Sequence, residues 1–129
     1  MKSFFTSRIQ SFRHAFRGLF YVMKTQRNAW IHSTITFVIF IIGLWLKISF
    51  TDWAILVLAI AFVFMAEFVN TAIEAVIDLA SPNKHPLAKI GKDVGAAAVL
   101  VSAIASVLVG ILILVSPLLE KINLLMVEK

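Results

Sequence analysis

Of the 129 residues, 60% are hydrophobic and only 15% are charged, which excludes an ordinary soluble domain of this size and points to an integral membrane protein. The net charge is +5, from twelve basic and seven acidic residues. Cysteine is absent, so disulfides, thiolate metal sites and cysteine nucleophiles are excluded.

The chain opens with an amphipathic stretch over about residues 4–27. Phe5, Ile9, Phe12, Phe16, Leu19, Phe20 and Met23 recur at helical spacing, with Arg8, Arg13, Arg17 and Lys24 around the other side. That pattern predicts a surface helix lying on a leaflet with its apolar face down. A cleavable signal peptide is the rival reading, but basic residues interrupt the segment throughout and leave it no continuous apolar core. Gly18 marks a possible close approach or break.

Three apolar runs follow, over about residues 31–50, 53–79 and 94–117, each long enough against the roughly 20 residues a spanning helix needs. Residues 1–129 thus read as one all-α membrane domain, three transmembrane helices plus the surface helix. Trp30 and Trp45 sit near opposite ends of the first run, as interfacial anchors do. Residues 47–52 form a short turn, with Thr51 or Asp52 as the expected N-cap of the next helix. Ser81-Pro82-Asn83-Lys84-His85-Pro86 ends the second span and begins a short loop. The third helix is expected to start near Leu87 and to end at Pro117 with Glu120, Lys121 and Asn123. Gly91 and Gly95, four residues apart and followed by Ala96, Ala97 and Ala98, form a small surface that admits a close helix neighbour.

Basic residues orient the chain. Lys2, Arg8, Arg13, Arg17, Lys24, Arg27, Lys84, Lys89 and Lys92 fall on one side of the spans, and Lys47, Lys121 and Lys129 on the other. The positive-inside rule then predicts a cytoplasmic N-terminus and 80–93 loop, with the 47–52 turn and the C-terminus outside. Topology and anionic lipid account for the basic excess, so no nucleic acid is expected as a partner.

The second span departs from a plain lipid-facing helix. Glu67, Asn70, Glu74 and Asp78 lie on one face of it, and ionisable groups within a membrane segment are costly enough to mark a functional site by default. The span is long enough for Glu74 and Asp78 to reach the headgroup zone, with Glu67 deeper by about 10 Å. The stripe therefore connects water to lipid. Carboxylates gathered with Lys92 and Asp93 suit a divalent cation with hard oxygen ligands, Mg²⁺ rather than zinc, and the lysine suits phosphate. His14, His32 and His85 show no ligand spacing and read as interfacial or loop residues. Asp93 has Lys89 one turn away as a plain ion-pair partner, and Asp78 reads equally well as an interhelical hydrogen-bond partner. A channel or a purely structural bundle is the competing class, but residues 53–66 carry no ionisable group to line a pore.

The run Glu67-Phe-Val-Asn70-Thr-Ala-Ile-Glu74-Ala-Val-Ile-Asp78, with His85-Pro86-Leu87-Ala88-Lys89 and Gly91-Lys92-Asp93-Val94-Gly95-Ala96-Ala97-Ala98-Val99, resembles the bacterial membrane-embedded diacylglycerol kinase and undecaprenol kinase family. The resemblance extends from about Phe12 to Gly110. It implies a homotrimer with shared active sites in the bacterial cell membrane, transferring the γ-phosphate of MgATP to a lipid hydroxyl. Glu67 would be the general base and, with Asn70, would bind the lipid. Glu74 would ligate Mg²⁺ and Asn70 would orient phosphate or metal. Lys92 and Asp93 would contact the triphosphate, Asn83, Lys84 and His85 would border the nucleotide, and Arg13 and Gly18 would belong to the helix covering it. Many members have a second metal-binding glutamate where this chain has Gln26, so the site loses a negative charge there. The Ser-Pro-x-x-His-Pro-Leu-Ala-Lys loop resembles the undecaprenol kinase branch more closely, which favours a polyprenol acceptor over diacylglycerol.

Overall fold

In the computed structural model of the chain, residues 2–83 and 85–127 are described, with side chains from Thr6 onward. Lys84 of the expected nucleotide loop, the Phe5 side chain, and the Lys2 and Lys129 side chains counted for topology lie outside the described residues. Four helices follow in order: α1 (Lys2–Thr25), α2 (Arg27–Leu46), α3 (Phe50–Ala80) and α4 (Pro86–Val127). The last three are long and apolar enough to cross a membrane.

The α1 helix stands on the outside of the bundle, with every described side chain from Thr6 to Tyr21 exposed. Val22 is its buried contact with the remainder of the chain. Helix α1 runs unbroken through Gly18, where an added Cβ would meet nothing within 4 Å, so this glycine serves neither a break nor a close approach here. Gln26 interrupts the α1–α2 path in extended conformation (φ −100°, ψ 114°) and caps α2 without a side-chain hydrogen bond.

Helix α2 ends on Lys47, whose left-handed backbone (φ 55°, ψ 45°) lets its N–H return to Leu44 O at 3.2 Å while Ile48 N–H reaches Gly43 O at 3.3 Å. The N-cap of α3 is Ser49, correcting the expected Thr51 or Asp52. Its Oγ accepts from Asp52 N–H at 3.1 Å, and Asp52 Oδ2 accepts from Ser49 N–H at 3.2 Å, a reciprocal capping box. Asp52 thus holds the helix start from its third position. Trp53 folds back against α2, its ring 4.8 Å from that of Phe40 and so close to Gly43 that a Cβ there would lie 2.7 Å from it.

Helix α4 corrects a second boundary. It continues through Pro117 to Val127 instead of ending there. Proline removes one hydrogen bond and clashes with the preceding turn, but in an apolar helix the backbone has no better partner than the helix itself, so the rod carries on. Its 42 residues span about 63 Å, roughly twice a hydrocarbon core of about 30 Å.

The largest interface joins the antiparallel α3 and α4. Gly91 and Gly95 make it possible. A Cβ on Gly91 would lie 2.8 Å from Ile77 Cδ1, and one on Gly95 would overlap Asn70 Oδ1. The apolar core is small, made of Val22, Ala29, Leu56, Val63, Val99 and Leu114, and most large apolar side chains of the spans face outward. A bundle solvated by lipid needs close packing and polar contacts more than apolar burial.

Candidate active site

The polar stripe of α3 faces into the bundle over its first half and emerges over its second. Glu67 is 1% exposed, and Asn70 and Thr71 are buried beside it. Because 67, 70, 71 and 74 recur at helical spacing, their side chains stack along one face. Thr71 Oγ1 donates to Glu67 O at 2.8 Å, leaving the acidic side chain uninvolved. Asn70 Nδ2 donates to Glu74 Oε1 at 3.1 Å. Gly95 of α4 lies against the Asn70 amide, so the α3–α4 contact fixes where this side chain sits.

Three side-chain atoms among the described residues are buried without a hydrogen-bond partner: Glu67 Oε2, Asn70 Oδ1 and His32 Nε2. Buried polar groups are ordinarily satisfied, and each exception asks for an explanation. Two of the three belong to the stripe, where a ligand would complete them.

Farther along α3, the stripe opens into a cleft of about 650 Å³ between the end of α3, the turn and the start of α4, lined by residues that include Asp78, Ser81, Asn83, His85, Lys89, Lys92 and Asp93. Lys92 Nζ pairs with Asp78 Oδ1 at 2.5 Å across the two helices, with the side chains 39% and 66% exposed. Asp78 is therefore an interhelical partner, and Lys92 pairs with it. His85 Nδ1 accepts from Leu87 N–H at 3.2 Å and caps the first turn of α4, while Ser81 Oγ donates to Asn83 O at 2.9 Å and tightens the turn.

Most of the expected site residues are thus brought together. Glu67 and Asn70 are buried and Glu74 beside them is half-buried, while Asn83, His85, Lys92 and Asp93 border the cleft. Arg13 and Gly18, on the exposed α1, and Gln26, at the α1–α2 junction, do not line it. His32 was read from the sequence as an interfacial residue, yet its ring packs edge-on against Phe64 of α3 (centroids 6.4 Å, 75°) and its Nε2 is enclosed. Its signal was the one that singled out Glu67, a lone ionisable group in an apolar run. An apolar groove of about 390 Å³ runs from His32 between α2, α3 and α4 to Leu118, with Thr36 and Ser106 its other polar wall residues.

Among the described residues no three acidic or histidine side chains converge as a metal centre. The donors present are nevertheless hard oxygens, the Glu74 carboxylate and the partnerless Asn70 Oδ1. That set fits Mg²⁺ arriving on a polyphosphate, which takes one or two protein ligands and fills the others with phosphate and water.

A helical membrane protein with a buried carboxylate on the same helix face that leads, several turns on, to an open, lysine-bearing cleft has the layout of an enzyme that works on a lipid from the membrane edge. The chain belongs to the prokaryotic diacylglycerol kinase family, whose profile it matches over residues 13–114. It is similar to the undecaprenol kinase of Bacillus subtilis, with 40% identity over 104 residues, covering 81% of this chain and 85% of the relative. A diacylglycerol kinase of Synechocystis is 42% identical over 111 residues, 85% of this chain and 63% of the relative. The diacylglycerol kinase of Escherichia coli K12 is 32% identical over 95 residues, 68% of this chain and 78% of the relative. The chain is accordingly a membrane lipid kinase.

Proposed function

We propose that the chain transfers the γ-phosphate of ATP to the hydroxyl of undecaprenol at the cytoplasmic surface of the bacterial cell membrane. The observation that carries this reading is the continuity of one helical face from a buried carboxylate at Glu67 to a cleft bordered by Lys92 and Asp93. A lipid hydroxyl and a soluble triphosphate can meet only where such a face crosses from apolar to aqueous surroundings.

In the proposed reaction Glu67 accepts the hydroxyl proton as the lipid oxygen bonds to the γ-phosphorus. The bond between that phosphorus and the β–γ bridging oxygen breaks, and ADP leaves with the electron pair. Asn70 binds the lipid with Glu67 and orients the transferred group, its amide held by Glu74 and by the close approach of Gly95. Lys92, released from Asp78, neutralises phosphate charge, and Asp93, Asn83, Lys84 and His85 border the nucleotide. Glu74, assisted by Asn70 and Gln26, would hold Mg²⁺. When bound, the ion would offset triphosphate charge that the few basic side chains of the cleft cannot. Arg13 and Gly18 lie away from the cleft in a single chain, which supports a homotrimer in which the α1 helix of one subunit covers the nucleotide of another. The distribution of basic residues supports a cytoplasmic N-terminus and an outward C-terminus.

Two features favour the polyprenol: the similarity to a relative named undecaprenol kinase, and the Ser81-Pro82 to Lys89 turn. Diacylglycerol is the second reading, favoured by the names of the other relatives. Purified protein in mixed micelles, given γ-labelled ATP with undecaprenol or diacylglycerol, decides between them. Faster labelling of undecaprenol is expected; faster labelling of diacylglycerol reverses the assignment, and labelling of neither removes it.

A further inference from the structure

We propose that Lys89 is a second phosphate-binding cation of the cleft, its ammonium meeting the nucleotide polyphosphate while Lys92 is still paired with Asp78. The inference rests on the reading of the cleft as the nucleotide site, but concerns a residue to which that reading gives no role.

The described walls of the cleft carry two lysines, Lys89 and Lys92, against two aspartates, Asp78 and Asp93. With His85 neutral their formal charges cancel, so a polyanion is drawn in only if one cation is at liberty. The two lysines differ in this respect. Lys92 is bound to Asp78 Oδ1 at 2.5 Å, and a phosphate reaches it by displacing a carboxylate. Lys89 is exposed, and its side chain makes no hydrogen bond or ion pair with any described residue. The pairing with Asp93 that their one-turn spacing allows is not formed.

The backbone fixes where this free cation stands. Lys89 N–H donates to His85 O at 3.1 Å, which sets the residue in the first turn of α4. Residues 89, 92 and 93 then share one face of the helix. Helical side chains lean toward the helix N-terminus, so Lys89 leans to the 81–86 turn, whose Asn83 and His85 line the same cleft. To bind a phosphate Lys89 gives up only water, and its compact charge on a flexible stem adapts to the oxygen it meets. Lys92 gives up a charge-assisted bond. An uncommitted ammonium on an otherwise balanced wall therefore attracts the triphosphate before the inner pair opens. The same ammonium would bind the phosphate of an anionic lipid headgroup, and the test separates the two sources.

The test compares Lys89→Met and Lys89→Arg with wild type in micelles of neutral detergent. With methionine, the KM for ATP is expected to rise about five- to tenfold while kcat and the lipid KM stay within about twofold, and the salt dependence of the ATP KM should flatten. Arginine keeps the charge and should stay within about twofold of wild type. An unchanged ATP KM in the methionine variant, a rise confined to the lipid KM, or an equal rise with arginine overturns the proposal. A readout on wild type alone is acetylation of Lys89 by limiting acetic anhydride, followed by peptide mass, in nanodiscs with and without phosphatidylglycerol. MgATP is expected to slow the modification severalfold in nanodiscs of neutral lipid. Absence of that protection, or protection given by phosphatidylglycerol alone, sinks the proposal even if the variants fail to fold, the second because the ammonium would then hold a lipid headgroup. Unprotected Lys89 in a protein that phosphorylates lipid leaves the kinase reading intact. Protection by MgATP in a protein that phosphorylates no lipid would instead remove the kinase reading and leave the phosphate contact standing.

Discussion

Glu67 is the residue proposed as the base, and the fold keeps it almost wholly from solvent with one oxygen unpaired. Replacing it with glutamine preserves shape and removes basicity. Glu67→Gln is therefore expected to lower transfer by about two to four orders of magnitude, the usual span of general-base catalysis, while ATP binding is unchanged. Labelled transfer measured beside equilibrium binding of an ATP analogue checks this, and loss of folded protein would make the residue structural instead. Gln26 poses the opposite question. Its side chain does no capping work at the start of α2, so its amide is available to a ligand. Restoring a carboxylate there by Gln26→Glu adds an acceptor at a helix N-terminus, where negative charge is tolerated. The Mg²⁺ concentration for half-maximal activity should fall by roughly severalfold, as expected when one hard anionic ligand is gained. An unchanged Mg²⁺ requirement would take Gln26 out of the metal site.

At the scale of elements, the contact of α3 with α4 sets the site, and its two glycines are not equivalent. At Gly95 an added methyl runs into the Asn70 amide, which is buried and paired with Glu74. At Gly91 it meets the free end of Ile77, which can swing aside. Gly95→Ala should therefore cost about 1–3 kcal/mol of stability by overpacking and lower activity with it. Gly91→Ala should stay within about 1 kcal/mol and leave activity nearly intact. Unfolding in mixed micelles of rising denaturing detergent measures both; equal losses would mean that the Asn70 contact is not what the glycine protects. The Lys92–Asp78 pair closes the same interface at its solvated end. Both partners are substantially exposed, so it contributes little to stability and can open for a phosphate.

For the molecule as a whole, most of the apolar surface of the spans faces outward, where lipid would take it. The absence of native cysteine makes the topology directly measurable. Ser49→Cys, in the turn between α2 and α3, should react with a membrane-impermeant maleimide on intact spheroplasts. Ser81→Cys, in the turn between α3 and α4, should react only after permeabilisation. The reverse labelling would invert the orientation and place the cleft away from cytosolic ATP. The two turns lie at opposite ends of α3, so any single-crossing arrangement of that helix labels one side only.

Much of this architecture was legible in the sequence because it depends on composition and period. Apolar runs located the three spans, the amphipathic N-terminal repeat located α1, and the misplaced carboxylates of α3 pointed to the candidate site. Local chemistry was less decisive at the element ends, where Ser49 rather than Thr51 or Asp52 caps α3 and Pro117 fails to stop α4. What only the tertiary structure decided is which helix faces meet: Gly95 against Asn70, Lys92 on Asp78, and His32 packed on Phe64 one turn from Glu67. Each joins residues distant in the chain through the rotation of one helix against another, a quantity that no local pattern of side chains encodes.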